Sequence, residues 1–422
     1  MVTRDEDFLN TVTARFQNRD IYLWGARQDG LSMCRVLERL GYRPKGFIDS
    51  SVSMEGKELI GYRVHAPGDI LKKRNPTPYV IITSSFYTDE IADSCRQAGL
   101  TSPDDFIAGA DIQQFDYQID VAGACNLRCI SCPRGNYQPQ PRAGWMTTDT
   151  YGKVLSKILL EDPFVGSVYL YNWGEPLLNP YLAEIVDLTN KMGVHAALSS
   201  NLNIRKDFAD VIKAKPTWFR ISASGFGPNY EITHTGGSWD LFLKNVYRLK
   251  ELQDEYHPGL QVELFYHIYR HNNGDDFAHM RDLCDQLGFT FRFRHAALAP
   301  LENIEAFIDG RPMSAQAKRT MELQALPVAE AMAIARQQKD RPCFYQRCLW
   351  ITWDLKISQC MEWFNPDLQL VPGDFLSTPL QEIAAARQNS EFCRRCREKA
   401  IHRCYIVYGD EKLVHERRSV NL

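Results

Sequence analysis

The residues of this chain best suited to chemistry begin with three cysteines in the run Cys125-Asn126-Leu127-Arg128-Cys129-Ile130-Ser131-Cys132. Their C-x3-C-x2-C spacing offers three thiolates where a [4Fe-4S] cluster takes four ligands, which leaves one iron open to chelate a small molecule. Thiolates at short spacing would also suit a structural zinc ion. Zinc sites usually pair two knuckles of like spacing, however, and a lone x3-x2 triple after a strand favours the cluster. The alternating segment Tyr117-Gln118-Ile119-Asp120-Val121 precedes the run, so the cysteines are expected on a loop at the carboxyl end of a β-strand. Barrel enzymes place their chemistry at that end.

Six strand-helix units are readable between Asp116 and Leu298, with strands near 115–122, 166–172, 195–201, 218–224, 261–269 and 289–298. Six parallel units joined by crossover helices predict an α/β fold built on an open, partial (β/α)6 barrel. Alternation then sorts lumen from helix side. Val262, Leu264, Tyr266 and Ile268 share one face of the fifth strand, and Glu263, Phe265, His267 and Tyr269 the other, which is expected to line the lumen. In the sixth strand Phe291 and Phe293 alternate with Arg292 and Arg294. Guanidinium groups buried without partners are costly, so an anion in the cavity, or an acid across the barrel such as Glu263, is expected to meet them.

On these residues the chain resembles the radical S-adenosylmethionine (radical SAM) superfamily, in the cysteine triad with its Cys-Asn-Leu-Arg-Cys context, over about residues 113–300. The resemblance implies the same barrel. It also implies a catalytic cluster held by Cys125, Cys129 and Cys132, with the amino and carboxylate groups of SAM on its open iron. One electron passed into the sulfonium would yield a 5'-deoxyadenosyl radical that takes a hydrogen atom from the substrate. Ser131 stands where many members carry an aromatic residue. The segment Tyr171-Asn172-Trp173-Gly174-Glu175-Pro176 is similar to the family's Gly-Gly-Glu-Pro motif, which supports the SAM amino group, with Trp173 replacing the first glycine. Gly174 and Glu175 are thereby implied in SAM binding. Ser199 and Asn201, ending the third strand, and Ser222 and Ser224 in the fourth stand where members hold the SAM ribose and carboxylate, and Arg292 is a candidate partner for that carboxylate or a substrate phosphate.

A second cysteine-rich region holds Cys343, Cys348, Cys360, Cys393, Cys396 and Cys404. Within it, Trp350 to Cys360 reads as a β-hairpin leading into a ligand. The stretch resembles the SPASM or twitch extensions of radical SAM enzymes, with Leu355 where their glycine is expected. That resemblance implies an auxiliary [4Fe-4S] cluster closed by Cys343, Cys360, Cys393 and Cys396. Cys348 is the substitute for Cys343, and Cys404 is available to a second, incomplete cluster. A zinc ribbon made of the same residues is the alternative. Arg394, Arg395, Arg397, His402 and Arg403 are expected to offset the cluster's charge and tune its potential, or else to hold a phosphate-bearing substrate. The tail from Glu411 to Arg418 reads as a solvated charged end.

The rest of the chain bounds this reading. At 422 residues it has room for two or three domains. A net charge of −3 gives no global field for nucleic acid or an anionic membrane. With no export signal or membrane-length apolar run, the protein is expected to be soluble and cytoplasmic. Its 12 cysteines are then expected as reduced thiols kept for metal, with Cys34, Cys95 and Cys284 as buried hydrophobes. Residues 20–112 alternate strands and helices as a Rossmann-like domain would. The turn Gly25-Ala26-Arg27-Gln28-Asp29-Gly30, with Asp49 ending the next strand, is similar to a dinucleotide fingerprint, but Arg27 replaces the second glycine. A docking or scaffold role is therefore favoured over a nucleotide site.

The expected architecture is a Rossmann-like α/β domain over 1–112, the partial barrel over 113–300, a helical linker over 301–340 and a small cysteine-rich, SPASM/twitch-like domain over 341–422. The expected activity is radical SAM oxidation, epimerisation or rearrangement of a polar substrate, a carbohydrate or nucleotide sugar, with an electron donor such as flavodoxin or ferredoxin. Two alternatives stand beside it: a peptide-modifying SPASM maturase, and a non-catalytic adaptor with zinc in both cysteine groups.

Overall fold

The computed structural model describes residues 6–72, 76–84, 87–135, 137, 141–365 and 368–410; the charged tail from Glu411 to Arg418 lies outside the described residues. The chain divides into two compact units. The first comprises 1–116, 153–168 and 189–195, and the second 117–152, 169–188 and 196–422.

The first unit is built on a six-stranded sheet: β1 (Ile21–Trp24), β2 (Gly46–Ile48), β3 (Glu58–Leu59), β4 (Tyr62–His65), β5 (Tyr79–Ile82) and β6 (Phe106–Ala108). Their spatial order is β3-β4-β2-β1-β5-β6. β1 lies parallel between β2 and β5, so the order reverses at β1 as in a doubly wound sheet. Every residue of β1 and β5 is buried, which suits strands covered by helices on both faces. At the fingerprint-like turn a Cβ on Gly30 would lie 1.9 Å from the Gly25 carbonyl oxygen, so helix and strand close there only over glycine. The Asp49 carboxylate accepts from the amides of Ala26 at 3.1 Å and Ser51 at 2.8 Å. The acid of the fingerprint thus braces its own turn.

The second sheet has seven strands: β7 (Asp116–Ile119), β8 (Ser167–Tyr169), β9 (His195–Ser200), β10 (Trp218–Ala223), β11 (Gln261–Ile268), β12 (Thr290–His295) and β13 (Cys348–Ile351). The order β12-β11-β10-β9-β8-β7-β13 runs through the six expected strands in sequence, and the pairs from β9 to β12 are parallel. This is a mixed α/β fold on a parallel sheet. Burial along β11 alternates as its sequence demands: Val262, Leu264, Tyr266 and Ile268 are enclosed, while Glu263, Phe265 and His267 are half-buried. The helix Trp239–Tyr256 starts on Ser238, whose Oγ accepts from the Leu241 amide. The helix Asp275–Leu287 stops at Gly288, with φ +70°.

The cysteine-rich region adds β13 to the sheet edge beside β7, a pairing its sequence does not announce. After β13 the chain turns back through the Ile351–Ile357 bridge, which is the expected hairpin. Leu355 sits in that turn at φ +68°, a conformation that favours glycine and costs an L-residue roughly 1–2 kcal/mol. Among the described residues no helix is long and apolar enough to cross a membrane.

Replacing Leu355 with glycine should therefore stabilise the protein by about 1 kcal/mol. Denaturant unfolding of the two chains checks this; an equal or lower midpoint for Leu355→Gly would show that the turn is held by the leucine side chain instead.

Candidate active site

The cysteine loop begins where β7 ends and is fixed on both sides by backbone bonds. The amides of Arg128 and Ile130 donate to the carbonyls of Thr235 and Thr233 at 2.9 and 3.0 Å. The Ile130 carbonyl in turn accepts from the Thr320 hydroxyl at 3.0 Å and the Gln316 amide at 2.5 Å. Cys125, Cys129 and Cys132 face one another closely enough that their thiols act on each other's charge. Burial first, then Glu175 and Cys132, push the Cys125 thiol up to about 12, and Cys129 is raised by burial and then by Cys132 and Cys125. Donors point at the sulfurs. The Leu127 amide reaches Cys125 Sγ at 3.5 Å and Asn201 Nδ2 reaches it at 3.7 Å, while the amides of Arg134 and Gly135 and the Arg134 charge work against the burial that raises Cys132. Such N–H···S bonds around a thiolate set are what an anionic iron-sulfur group needs from its surroundings.

Opposite the cysteines lies the loop after β8. Gly174 must be glycine, since a Cβ there would fall 1.7 Å from the Ala122 carbonyl oxygen. The loop is held by Asp120, a 5% exposed carboxylate at the end of β7 that accepts from the backbone amides of Asn172, Trp173 and Gly174. Burial pushes the Asp120 carboxyl up to about 6 against those amides and the Arg134 charge. Glu175 is buried as well, its two oxygens accepting from the amides of Leu177 at 3.1 Å and Asn201 at 2.8 Å. Burial raises it to about 7. Glu175 therefore ties the ends of β8 and β9 together.

Asn201 joins the parts: besides its contacts with Cys125 and Glu175, its Nδ2 donates to Asn126 Oδ1 at 3.1 Å. The hydroxyls of Ser199 and Ser222 stand 3.3 Å apart on neighbouring strands, whereas Ser224 is turned inward and donates to the Ala223 carbonyl. Ser131, where an aromatic ring was expected, shares a 2.5 Å hydrogen bond with the hydroxyl of Tyr269, so a ring from the end of β11 stands beside the cysteine loop.

Glu263 does find a guanidinium, but neither of those in β12. Its partner is Arg220, at 2.6 Å, whose guanidinium also stacks on Phe265 at 4.6 Å. Burial opposes the Arg220 charge, and Tyr171 and Glu263 override it, so its pKa is raised. His267 is pressed down to about 3 by burial and then by Arg294, hence neutral. Arg294 donates to the Tyr405 carbonyl at 2.6 Å and lies over the Tyr405 ring, so it is engaged with the cysteine-rich region rather than with a lumen anion. Arg292 lies in register with Phe265 of β11. Sequence reasoning missed Asp120 and Arg220. The signal for Arg220 was there, because alternation puts it on the same face of β10 as Ser222.

The second cysteine group is assembled. Cys343, Cys360, Cys393 and Cys396 together line one cavity of about 420 Å³, with Arg387, Arg397 and His402 among its other walls. Cys348 and Cys404 are not in that lining; both are buried in an apolar cluster with Leu298, Ile304 and Val407, to which Cys396 also belongs and against which Cys343 and Cys360 pack. Of the cations expected here, Arg394 pairs with Glu391 and Glu398, and Arg395 with Glu305. Between the two cysteine groups runs the segment 361–364. The Met361 carbonyl accepts from Trp173 Nε1 at 3.1 Å, and Phe364 meets the Trp173 ring edge-on. Among the described residues, no three His, Cys, Asp or Glu side chains converge on a single-ion position.

Residues 119–284 match the model of the Radical SAM superfamily. That stretch thus resembles a radical SAM domain, a kind of domain that binds a [4Fe-4S] cluster and SAM. No curated protein matches the sequence. Among solved structures, SuiB of Streptococcus suis bound to precursor peptide SuiA is similar at 12% identity over 65% of this chain and 65% of that one, with a TM-score of 0.45; this chain thus spans just under two thirds of that protein. BtrN in complex with AdoMet and 2-DOIA is 14% identical over 68% and 87%, at 0.39. Native anSMEcpe with bound AdoMet is 14% identical over 68% and 88%, at 0.43.

Glu302 gives this region a pH dependence. Its carboxylate oxygens are buried, and burial pushes it from 4.5 up to about 8 against the pull of its own and the Phe364 backbone amides. The unfolded chain ionises this carboxyl from about pH 4.5 and the folded chain only near 8, so folding stability falls as pH rises across that window, by up to about 1.4 kcal/mol per unit. Glu302→Gln should melt above the wild type at pH 8 and close to it at pH 5. An equal offset at both pH values would contradict this.

Proposed function

We propose that the chain is a radical SAM enzyme with one auxiliary cluster. Cys125, Cys129 and Cys132 would hold the cluster that binds SAM, and Cys343, Cys360, Cys393 and Cys396 the second. The single observation that carries the two-cluster reading is that these four cysteines, brought from three segments of the chain, line one cavity whose lining does not include Cys348 or Cys404. Four thiolates complete a cluster's ligand set, as three cannot.

When bound and reduced, the first cluster supplies the electron that cleaves SAM to a hydrogen-abstracting radical. The protein's work is binding, orientation and exclusion of water. Gly174 leaves its loop backbone open to the SAM ammonium, with Asp120 and Glu175 fixing that loop. Ser199, Asn201, Ser222 and Arg292 are the side chains proposed for the ribose and carboxylate. Tyr269, fixed by Ser131, offers a ring beside the cysteine loop. The Arg220–Glu263 pair, with Tyr171, Phe265 and neutral His267, makes a lumen of polar groups on aromatic walls, and such a surface suits a polyhydroxylated substrate. We take a carbohydrate or nucleotide sugar as that substrate and oxidation or rearrangement at a C–H bond as the reaction, with a flavodoxin or ferredoxin as donor. The amino-terminal unit is proposed as a scaffold, since Asp49 is spent on its own turn.

Two measurements test this. Protein purified without oxygen should carry about eight irons and eight acid-labile sulfides per chain, falling to about four of each when Cys343, Cys360, Cys393 and Cys396 are replaced by alanine; about four in the wild type would remove the auxiliary cluster. With SAM and dithionite, nucleotide sugars should stimulate release of 5'-deoxyadenosine. Stimulation by peptides alone would give the enzyme to peptide modification instead.

A further inference from the structure

Arg387 is the largest fully enclosed side chain of the protein, 2% exposed. It lies in the last turn of the helix Leu380–Gln388. Its bond to the protein is a long one, Nη2 to the Ser358 carbonyl at 3.4 Å, and its Nε is buried without a partner among the described residues. No carboxylate pairs with it among those residues. The end of a helix offsets a nearby cation by at most about 2 kcal/mol, less than the several kcal/mol that an isolated buried ion costs. A guanidinium in this position is therefore built against an anion that the described side chains do not supply.

Arg387 lines the same cavity as Cys343, Cys360, Cys393 and Cys396, and its charge acts on the thiols of Cys343 and Cys360. The more conspicuous cations of the segment are committed elsewhere, Arg394 and Arg395 to glutamates and Arg403 to Gln338 and the Pro342 carbonyl.

We propose that Arg387 is the counter-charge of the carboxyl-terminal cysteine cavity, a positioning residue that both retains an anionic four-thiolate iron-sulfur cluster there and makes it easier to reduce. The inference rests on the two-cluster reading above. A four-thiolate cluster is negative when oxidised and more negative after taking up an electron, so a fixed cation nearby favours the reduced form more than the oxidised one. Arg387 thereby suits the cavity to accepting an electron rather than giving one up.

The test compares the full-length wild type with Arg387→Met and Arg387→Lys, each loaded with iron and sulfide and titrated with dithionite under EPR. The auxiliary cluster is the signal that SAM leaves unchanged. Its midpoint should shift negative in Arg387→Met and stay near the wild-type value in Arg387→Lys. Metal-free Arg387→Met should melt no lower than the metal-free wild type, because it loses an unpaired buried charge, while the loaded variant should lose iron to a chelator faster than the loaded wild type. An unshifted midpoint in a fully loaded Arg387→Met overturns the role of Arg387 alone. If that variant takes up no second cluster while Arg387→Lys does, the retention role stands. If neither does, melting of the metal-free chains decides, and a lower melting point for Arg387→Met makes the arginine a packing residue and overturns the proposal. A wild type with no SAM-insensitive signal and about four irons overturns the two-cluster reading itself.

Discussion

The account depends on one electrostatic constraint, that thiols gathered out of water need an electropositive partner before they can be thiolates. Burial holds the thiols of Cys125, Cys129, Cys132, Cys343, Cys360 and Cys396 neutral in the metal-free chain, as the rise of Cys360 to about 12 illustrates. A bound iron-sulfur group would offset that cost, and the surrounding donors would lower what remains. At the first group the donors are backbone amides and Asn201; at the second they include a buried guanidinium. The loops around each group follow from the need to aim those donors.

Acids take the complementary part. Asp120 and Glu175 are buried carboxylates whose bonds go to backbone amides, and together they fix the loop that carries Gly174. Neither needs to touch a ligand to matter. Each turns an irregular segment at a strand end into a rigid surface, so the polar backbone there is placed before anything binds. The segment 361–364 extends this economy, since one carbonyl, that of Met361, ties the Gly174 loop to the residue following Cys360.

Much of this was legible in the sequence. Strict alternation placed the six strands and gave the correct faces of β11, because a period of two leaves little freedom once one face is buried. The cysteine spacings pointed to two groups, and a core position for Cys34, Cys95 and Cys284 followed from their lying outside both cysteine-rich regions. What stayed hidden depends on distance in space. The Arg220–Glu263 pair forms between strands in register, whereas the sequence suggests the arginines of β12 equally well. Arg387 sits in an ordinary helical stretch, and of the arginines crowding Cys393 and Cys396, Arg394 and Arg395 are committed to glutamates. β13 joins the sheet edge from far along the chain, and no local pattern encodes that pairing.

The most direct test of the central claim is the fate of SAM on anaerobically prepared protein reduced with dithionite, followed by chromatography for 5'-deoxyadenosine and methionine. The account predicts both products from the wild type and neither from a chain with Cys125, Cys129 and Cys132 replaced by alanine. Intact SAM with the fully iron-loaded wild type, or undiminished cleavage by the triple variant, would contradict it.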